Sequence, residues 1–134
     1  MEFYCVPKFK KDISKLIKKH RSTRSDVSDI KNIFETIGIP NYAIPYPGVS
    51  DNKCRKIKMI CKDMGAGKSK GFRLIFRDLD KQIIFIHIYL HNQYSKEIDV
   101  VNEVKERLNY SENDLAPFWS PLDFLKNSLC LEPP

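Results

Sequence analysis

The chain has 134 residues, 42% of them hydrophobic, and its 23 basic and 17 acidic side chains leave a net charge of +6. That is enough for one domain, residues 1–134, with a sizeable core, and it excludes a disordered polyelectrolyte. No apolar run reaches the roughly 20 residues of a bilayer span.

The positive balance points to a polyanionic partner, nucleic acid or an acidic protein, although an ordinary lysine-rich surface would give the same number. The opening MEFYCVPKFKK has no apolar signal-peptide core, so a cytoplasmic location without membrane contact is expected. Cys5, Cys54, Cys61 and Cys130 show neither CxxC spacing nor nearby histidines. Buried thiols are therefore expected rather than a metal site or a disulfide framework.

Residues 2–6 are short and apolar and read as a strand, and Pro7 suits the first turn of a helix. Phe9, Ile13, Leu16 and Ile17 recur at helical spacing while Lys10, Lys11, Lys15, Lys18 and Lys19 fall mostly elsewhere, so an amphipathic helix with a basic outside is expected over 8–20. Thr23-Arg24-Ser25-Asp26 has the form of a capping box. Val27, Ile30, Ile33, Phe34 and Ile37 then mark a second helix, stopped by Gly38 and Pro40. The proline- and tyrosine-rich stretch 41–52 is a loop.

CRKIKMICK (54–62) alternates as a strand, with Lys56 and Lys58 on one face and Ile57 and Met59 on the other. Phe72 to Arg77 and QIIFIHIYL (82–90) are two further strands, joined by the tight turn Asp78-Leu79-Asp80. Ser95 is expected to cap a third helix with Ile98, Val101, Val104 and Leu108 in its stripe. In the tail, Ser120-Pro121 and Leu122, Leu125 and Leu129 point to a final helix. The order predicts an α+β domain: a three- or four-stranded, mainly antiparallel sheet packed on an N-terminal helical hairpin, with extra C-terminal helices.

Between the first two of these long strands lies GAGKSKGFR (65–73). Gly67-Lys68-Ser69 imitates the end of a phosphate-binding P-loop, but Lys62 occupies the position of that motif's first glycine. A strand follows where the P-loop needs a helix to receive phosphates. A nucleotide cofactor is not expected.

In order and in residues, CRKIKMICKDMGAGKSKGFRLIFRDLDKQIIFIHIYLHNQYSKEI resembles the core of the RelE/HigB-type toxins of the RelE/ParE superfamily. Gly71-Phe72-Arg73-Leu74-Ile75-Phe76 is similar to their signature strand, GAGKSKG to the glycine lead-in of the HigB-like branch, and the opening helical hairpin also fits. The likeness covers about residues 3–108, leaving the 41–52 loop and a 110–134 extension outside it. It implies a small RelE-like fold and the toxin of a type II toxin–antitoxin system: a metal-independent mRNA endoribonuclease working at the ribosome and neutralised by a cognate antitoxin. Two alternatives stay open, a ParE-like inhibitor of DNA gyrase and a non-catalytic RelE-fold module that binds a protein.

RNA is cleaved without metal when a 2′-hydroxyl attacks its own phosphate. That reaction needs a base, cations for the phosphorane and an acid for the leaving 5′ oxygen. Lys56 and Lys58, two apart on a strand, can meet one phosphate, and Arg73 offers a planar fork for the same group. By resemblance these are the family's strand lysines and signature arginine. A solvated edge strand and a structural ion pair are the bland readings.

His91 and Tyr94 lie just past the last strand, where the family places a titrating residue and often a tyrosine. His91-Asn92-Gln93-Tyr94 departs from the family's pattern there, which leaves acid and base open. Lys62, Lys68, Lys70 and Arg77 are candidates for gripping RNA backbone; for the loop lysines, keeping the loop soluble is the alternative. His87, inside an apolar strand, reads as a core histidine or one that supports the site from behind. Which strand residues share the face of Arg73 depends on the parity of the turn between Arg77 and Gln82, and the sequence leaves that parity undetermined.

Overall fold

A computed structural model describes residues 1–65 and 67–118, so the expected helix around Leu122, Leu125 and Leu129 lies outside the described residues. The elements are β1 (Glu2–Cys5), α1 (Pro7–Lys19), α2 (Thr23–Ile37), β2 (Ile44–Pro45), β3 (Cys54–Met59), β4 (Phe72–Asp78), β5 (Gln82–Leu90), α3 (Glu97–Arg107) and β6 (Ala116–Pro117). The α+β class stands. Among the described residues the sheet has six strands in the order β2-β3-β4-β5-β1-β6, two more than the four at most expected. The additions, β2 and β6, are only two residues long, too short to leave a period-2 pattern. All pairings are antiparallel except β1 with β5. No described helix is long and apolar enough to cross a membrane.

The helical hairpin forms where expected, with Phe9, Ile13, Leu16 and Ile17 of α1 and Val27, Ile30 and Phe34 of α2 buried. Its turn is held differently from a capping box. Thr23 is buried and donates its hydroxyl back to the carbonyls of His20 (2.6 Å) and Leu16 (3.2 Å). The Ser22 hydroxyl donates to Asp26 (2.8 Å) and accepts the amide of Asp63 (2.9 Å). Asp26, 4% exposed, accepts the amide of Lys62 (3.2 Å). These polar groups bind the hairpin to the segment after β3, because tertiary donors outcompete the local cap. Likewise α3 starts at Glu97 with Lys96 before it and no side-chain cap, rather than from Ser95.

Phe85 on β5 is the hub of the core. Phe9, Phe3, Phe34, Phe118 and Phe76 surround it with ring centroids 5.4, 6.2, 6.3, 5.8 and 6.4 Å away. Both helices of the hairpin therefore cover one face of the sheet, the face of Phe76 and Phe85.

The β4–β5 register contains an irregularity. Ile75 pairs with His87 but Phe76 pairs with Phe85, so Ile86 is an extra residue without a partner on β4. Such a bulge reverses side-chain parity across itself. Phe85 faces the hairpin, and His87, two residues on, faces the other way.

Beyond Cys5 the chain turns into α1, so β1 covers only Gln82–Phe85 of β5 and the rest of that edge needs other partners. Arg107 of α3 donates to the Ile86 carbonyl (3.0 Å) and Asp12 of α1 accepts the Ile88 amide (3.3 Å). Arg107 also donates to both oxygens of Asp12, Nη2 to Oδ1 at 3.0 Å, and to Glu103 at 2.7 Å. Burial works against the Arg107 charge, yet these carboxylates hold its pKa above the ordinary guanidinium value.

The glycines of 65–71 have separate tasks. Gly65 has φ +61°. A Cβ on Gly71 would lie 1.9 Å from the Met59 carbonyl oxygen, whereas one on Gly67 meets nothing within 4 Å. Gly71→Ala should destabilise the fold by more than about 1 kcal/mol, while Gly67→Ala should be neutral or stabilising by up to about 1 kcal/mol, as read by urea unfolding.

Candidate active site

The face of the sheet away from the hairpin carries two adjacent rows of side chains. Lys58, Arg73 and Tyr89 pair side by side across β3, β4 and β5, and Lys56, Ile75 and His87 form the next row. With residues after β5 and from the start of α3, they enclose a cavity of about 190 Å³ lined by Lys56, Lys58, Arg73, Tyr89, His91, Tyr94, Lys96, Glu97 and Val100. All five residues expected to carry the chemistry line this one space: Lys56, Lys58, Arg73, His91 and Tyr94.

Four cations face a single carboxylate here. Lys56 is held in place, with its ammonium 3.8 Å from Glu97 and 5.4 Å from the Tyr46 ring centroid. Tyr46 donates its hydroxyl to the same Glu97. Burial is the main cause that lowers the Lys56 pKa, Glu97 opposes it, and Arg73 and Lys58 lower it further. Lys56 thus holds its proton less firmly than an ordinary lysine. Two polar atoms of the cavity lining, the Tyr89 hydroxyl and His91 Nδ1, are buried without a hydrogen-bond partner among the described residues. Buried polar atoms rarely stay unpaired. Burial also raises the Tyr89 pKa, so its hydroxyl stays protonated and can donate.

Arg73 has a second task. Its guanidinium donates to the carbonyls of Lys68 (3.1 Å), Ser69 (2.8 Å) and Gly71 (3.5 Å), fastening the turn of the glycine-rich stretch to β4. Two of its five N–H donors remain, enough for one phosphate. Gly71 in turn accepts the amide of His91 (3.0 Å), so the loop, Arg73 and His91 are set as one unit.

The four residues expected to grip RNA backbone lie outside the cavity. Lys62 pairs with Asp29 (2.8 Å) and Asp26 (3.9 Å) beside α2. Arg77, at the far end of β4, pairs with Asp51 (2.8 Å) and donates to the Tyr110 hydroxyl (2.9 Å). Lys68 stands 3.9 Å over the Tyr42 ring, and Lys70 is exposed. Lys62 and Arg77 are occupied structurally, since each leads a strand terminus back to a carboxylate of another segment.

Tyr89, Lys96 and Glu97 were not anticipated. For Tyr89 the signal was present, since it alternates with His87 along β5. Nothing local connects Lys96 and Glu97 with Lys56; the fold of α3 over the sheet does.

Tyr94 joins the cavity to a buried chain of polar groups. Its hydroxyl is 2.7 Å from His87 Nε2, and His87 Nδ1 is 2.8 Å from Asp12 Oδ2. His87 is 1% exposed and sits at the bulge-shifted register described above. Among the described residues no cluster of three or more His, Cys, Asp or Glu side chains is spaced to hold a metal.

Arg73→Ala should release the 68–71 turn, so the Lys70 and Gly71 amides should exchange with solvent faster while the β4–β5 ladder amides keep their protection.

Searches with this chain match no protein-family model, no curated protein and no solved structure.

Proposed function

We propose that this chain is a metal-independent endoribonuclease with a RelE-like fold, a HigB-type toxin that cleaves mRNA at the ribosome in the cytoplasm and is neutralised by a cognate antitoxin. One observation carries the reading: five residues singled out from three separate stretches of sequence line one cavity, with four cations against one carboxylate. Metal-free RNA cleavage needs that excess of fixed positive charge, because the phosphorane gains negative charge that water must not be left to stabilise.

The roles follow from position. Lys58 and Arg73, neighbours in one row, take the non-bridging phosphate oxygens, with Lys96 adding charge. Lys56, its pKa lowered chiefly by burial, gives its proton to the leaving 5′ oxygen. The Tyr89 hydroxyl and His91 Nδ1, both otherwise unpaired, hold the substrate in line.

Purified protein should cleave ribosome-bound mRNA and leave a 2′,3′-cyclic phosphate, at a rate unchanged by EDTA. Removing one stabiliser of developing charge costs about 100- to 1000-fold, so Lys58→Ala should slow the single-turnover rate by that order. Because the Lys56 pKa is lowered, its proton is lost below the ordinary lysine range, and the rate should fall on the alkaline side there. Lys56→Arg, which cannot give up its proton at these pH values, should be slow at every pH and lack that alkaline fall. A protein that cleaves neither free nor ribosome-bound RNA, while inhibiting supercoiling by gyrase, would replace this reading with the ParE-like one.

A further inference from the structure

We propose that Asp12, His87 and Tyr94 form a proton relay in which the Tyr94 oxygen is the base for the attacking hydroxyl. The inference rests on the ribonuclease reading and names its missing base. Its starting point is the direction of the hydrogen bonds. Asp12 receives Arg107, the Ile88 amide and His87 Nδ1. A carboxylate so placed accepts only, so Nδ1 carries a proton, and in the neutral ring Nε2 is left as an acceptor. The partner 2.7 Å from Nε2 is the Tyr94 hydroxyl, which therefore donates inward and keeps its lone pairs for a substrate; Tyr94 lines both the 190 Å³ cavity and an adjoining one of about 860 Å³ that it shares with His87 and Asp12.

That geometry removes an obstacle. Burial raises the Tyr94 pKa, with Glu103 adding to it, so a phenolate is not the resting form. The relay needs none. As the 2′ oxygen attacks phosphorus, its proton passes to the Tyr94 oxygen while the Tyr94 proton passes to His87 Nε2. The resulting imidazolium is held by Asp12, much as an aspartate steadies the histidine of a hydrolase triad. The P–O5′ bond breaks, and the 5′ oxygen takes a proton from Lys56. Afterwards the proton on His87 returns to Tyr94, and Tyr94 gives one to water, which restores Lys56. Protons balance over the cycle.

Tyr94 is the catalytic member; His87 and Asp12 are positioning residues that act through it. Tyr89 and Tyr94 rings meet edge-on at 5.2 Å, and His87 and Tyr94 at 5.8 Å, which fixes the phenol's aim. The charged groups around the pair are Asp12 and, along the adjoining cavity, Lys8, Lys11, Lys15, Lys18 and Lys19 from α1, with Arg107, Glu103 and Asp99 from α3. Arg107 and Asp12 compensate one another.

The test is single-turnover cleavage of ribosome-bound mRNA, in ordinary and in heavy water, by the full chain, its Tyr94→Phe and His87→Gln variants, and the double variant. Each single change should lower the rate about 100- to 10,000-fold without weakening RNA binding. The wild-type rate should show a solvent deuterium isotope effect from the protons in flight along the relay, and that effect should shrink in both variants. The double variant should be no slower than the slower single one, because the pair acts as a unit. Tyr94→Phe keeps the ring contacts, so if His87→Gln fails to fold, Tyr94→Phe and the wild-type isotope effect decide. An active enzyme indifferent to Tyr94→Phe, or one whose isotope effect survives that change, overturns the relay and leaves the ribonuclease reading standing. A wild type that cleaves no RNA overturns both.

Discussion

The buried pair of Arg107 and Asp12 is the contact on which the rest of the architecture depends. It closes an edge that β1 leaves half covered, by supplying a donor to the Ile86 carbonyl and an acceptor to the Ile88 amide. An open strand edge of apolar sequence is an invitation to wrong pairing, and β5, buried along almost its whole length, is the most apolar strand here. The pair also joins α1 to α3 across that edge, and so joins the hairpin on one side of the sheet to the helix that walls the cavity on the other. Its arginine is 7% and its aspartate 11% exposed. A desolvated pair of this kind gives little net stability when intact but costs about 3–5 kcal/mol when one partner is lost. Its value lies in specifying one arrangement of three elements.

The bulge at Ile86 follows from the same place. An extra residue in β5 frees a carbonyl from the ladder, and Arg107 is what receives it. In exchange, β5 presents Phe85 to the aromatic core and His87 to the opposite face, although the two are separated by a single residue. A regular strand would put both on one side. Either the core would hold a charged-capable ring or the site would lose its link to Asp12.

Charge in the cavity is arranged rather than merely accumulated. Glu97 opens α3, where the positive helix end favours a carboxylate, and it takes both the Tyr46 hydroxyl and the Lys56 ammonium. Lys56 is therefore oriented but left short of full compensation, with burial and two neighbouring cations against its charge. Arg73 is anchored by backbone carbonyls, which neutralise nothing and leave its charge available. Lys62 and Arg77, by contrast, each face a carboxylate, and they have been spent on holding the fold.

The sequence by itself determined the amphipathic hairpin, the four main strands and the alternation that sets Lys56 and Lys58 opposite Ile57 and Met59. These are statements about period and polarity over five or more residues, and neighbours along the chain decide them. It also determined that a strand, and not the helix a P-loop needs, would follow 65–71 at Phe72-Arg73-Leu74-Ile75-Phe76. The tertiary structure alone decided which cations converge. Lys62 and Arg77 look like Lys58 and Arg73 in a sequence, and they differ only in whether a distant acid, Asp29 or Asp51, reaches them. Above all it decided the parity of β5. One unpaired residue in a strand leaves no mark on hydrophobic patterning when both faces are buried, because Ile86 would be apolar on either side. Yet that residue settles that His87 joins Asp12 to Tyr94 instead of sharing the face of Phe85.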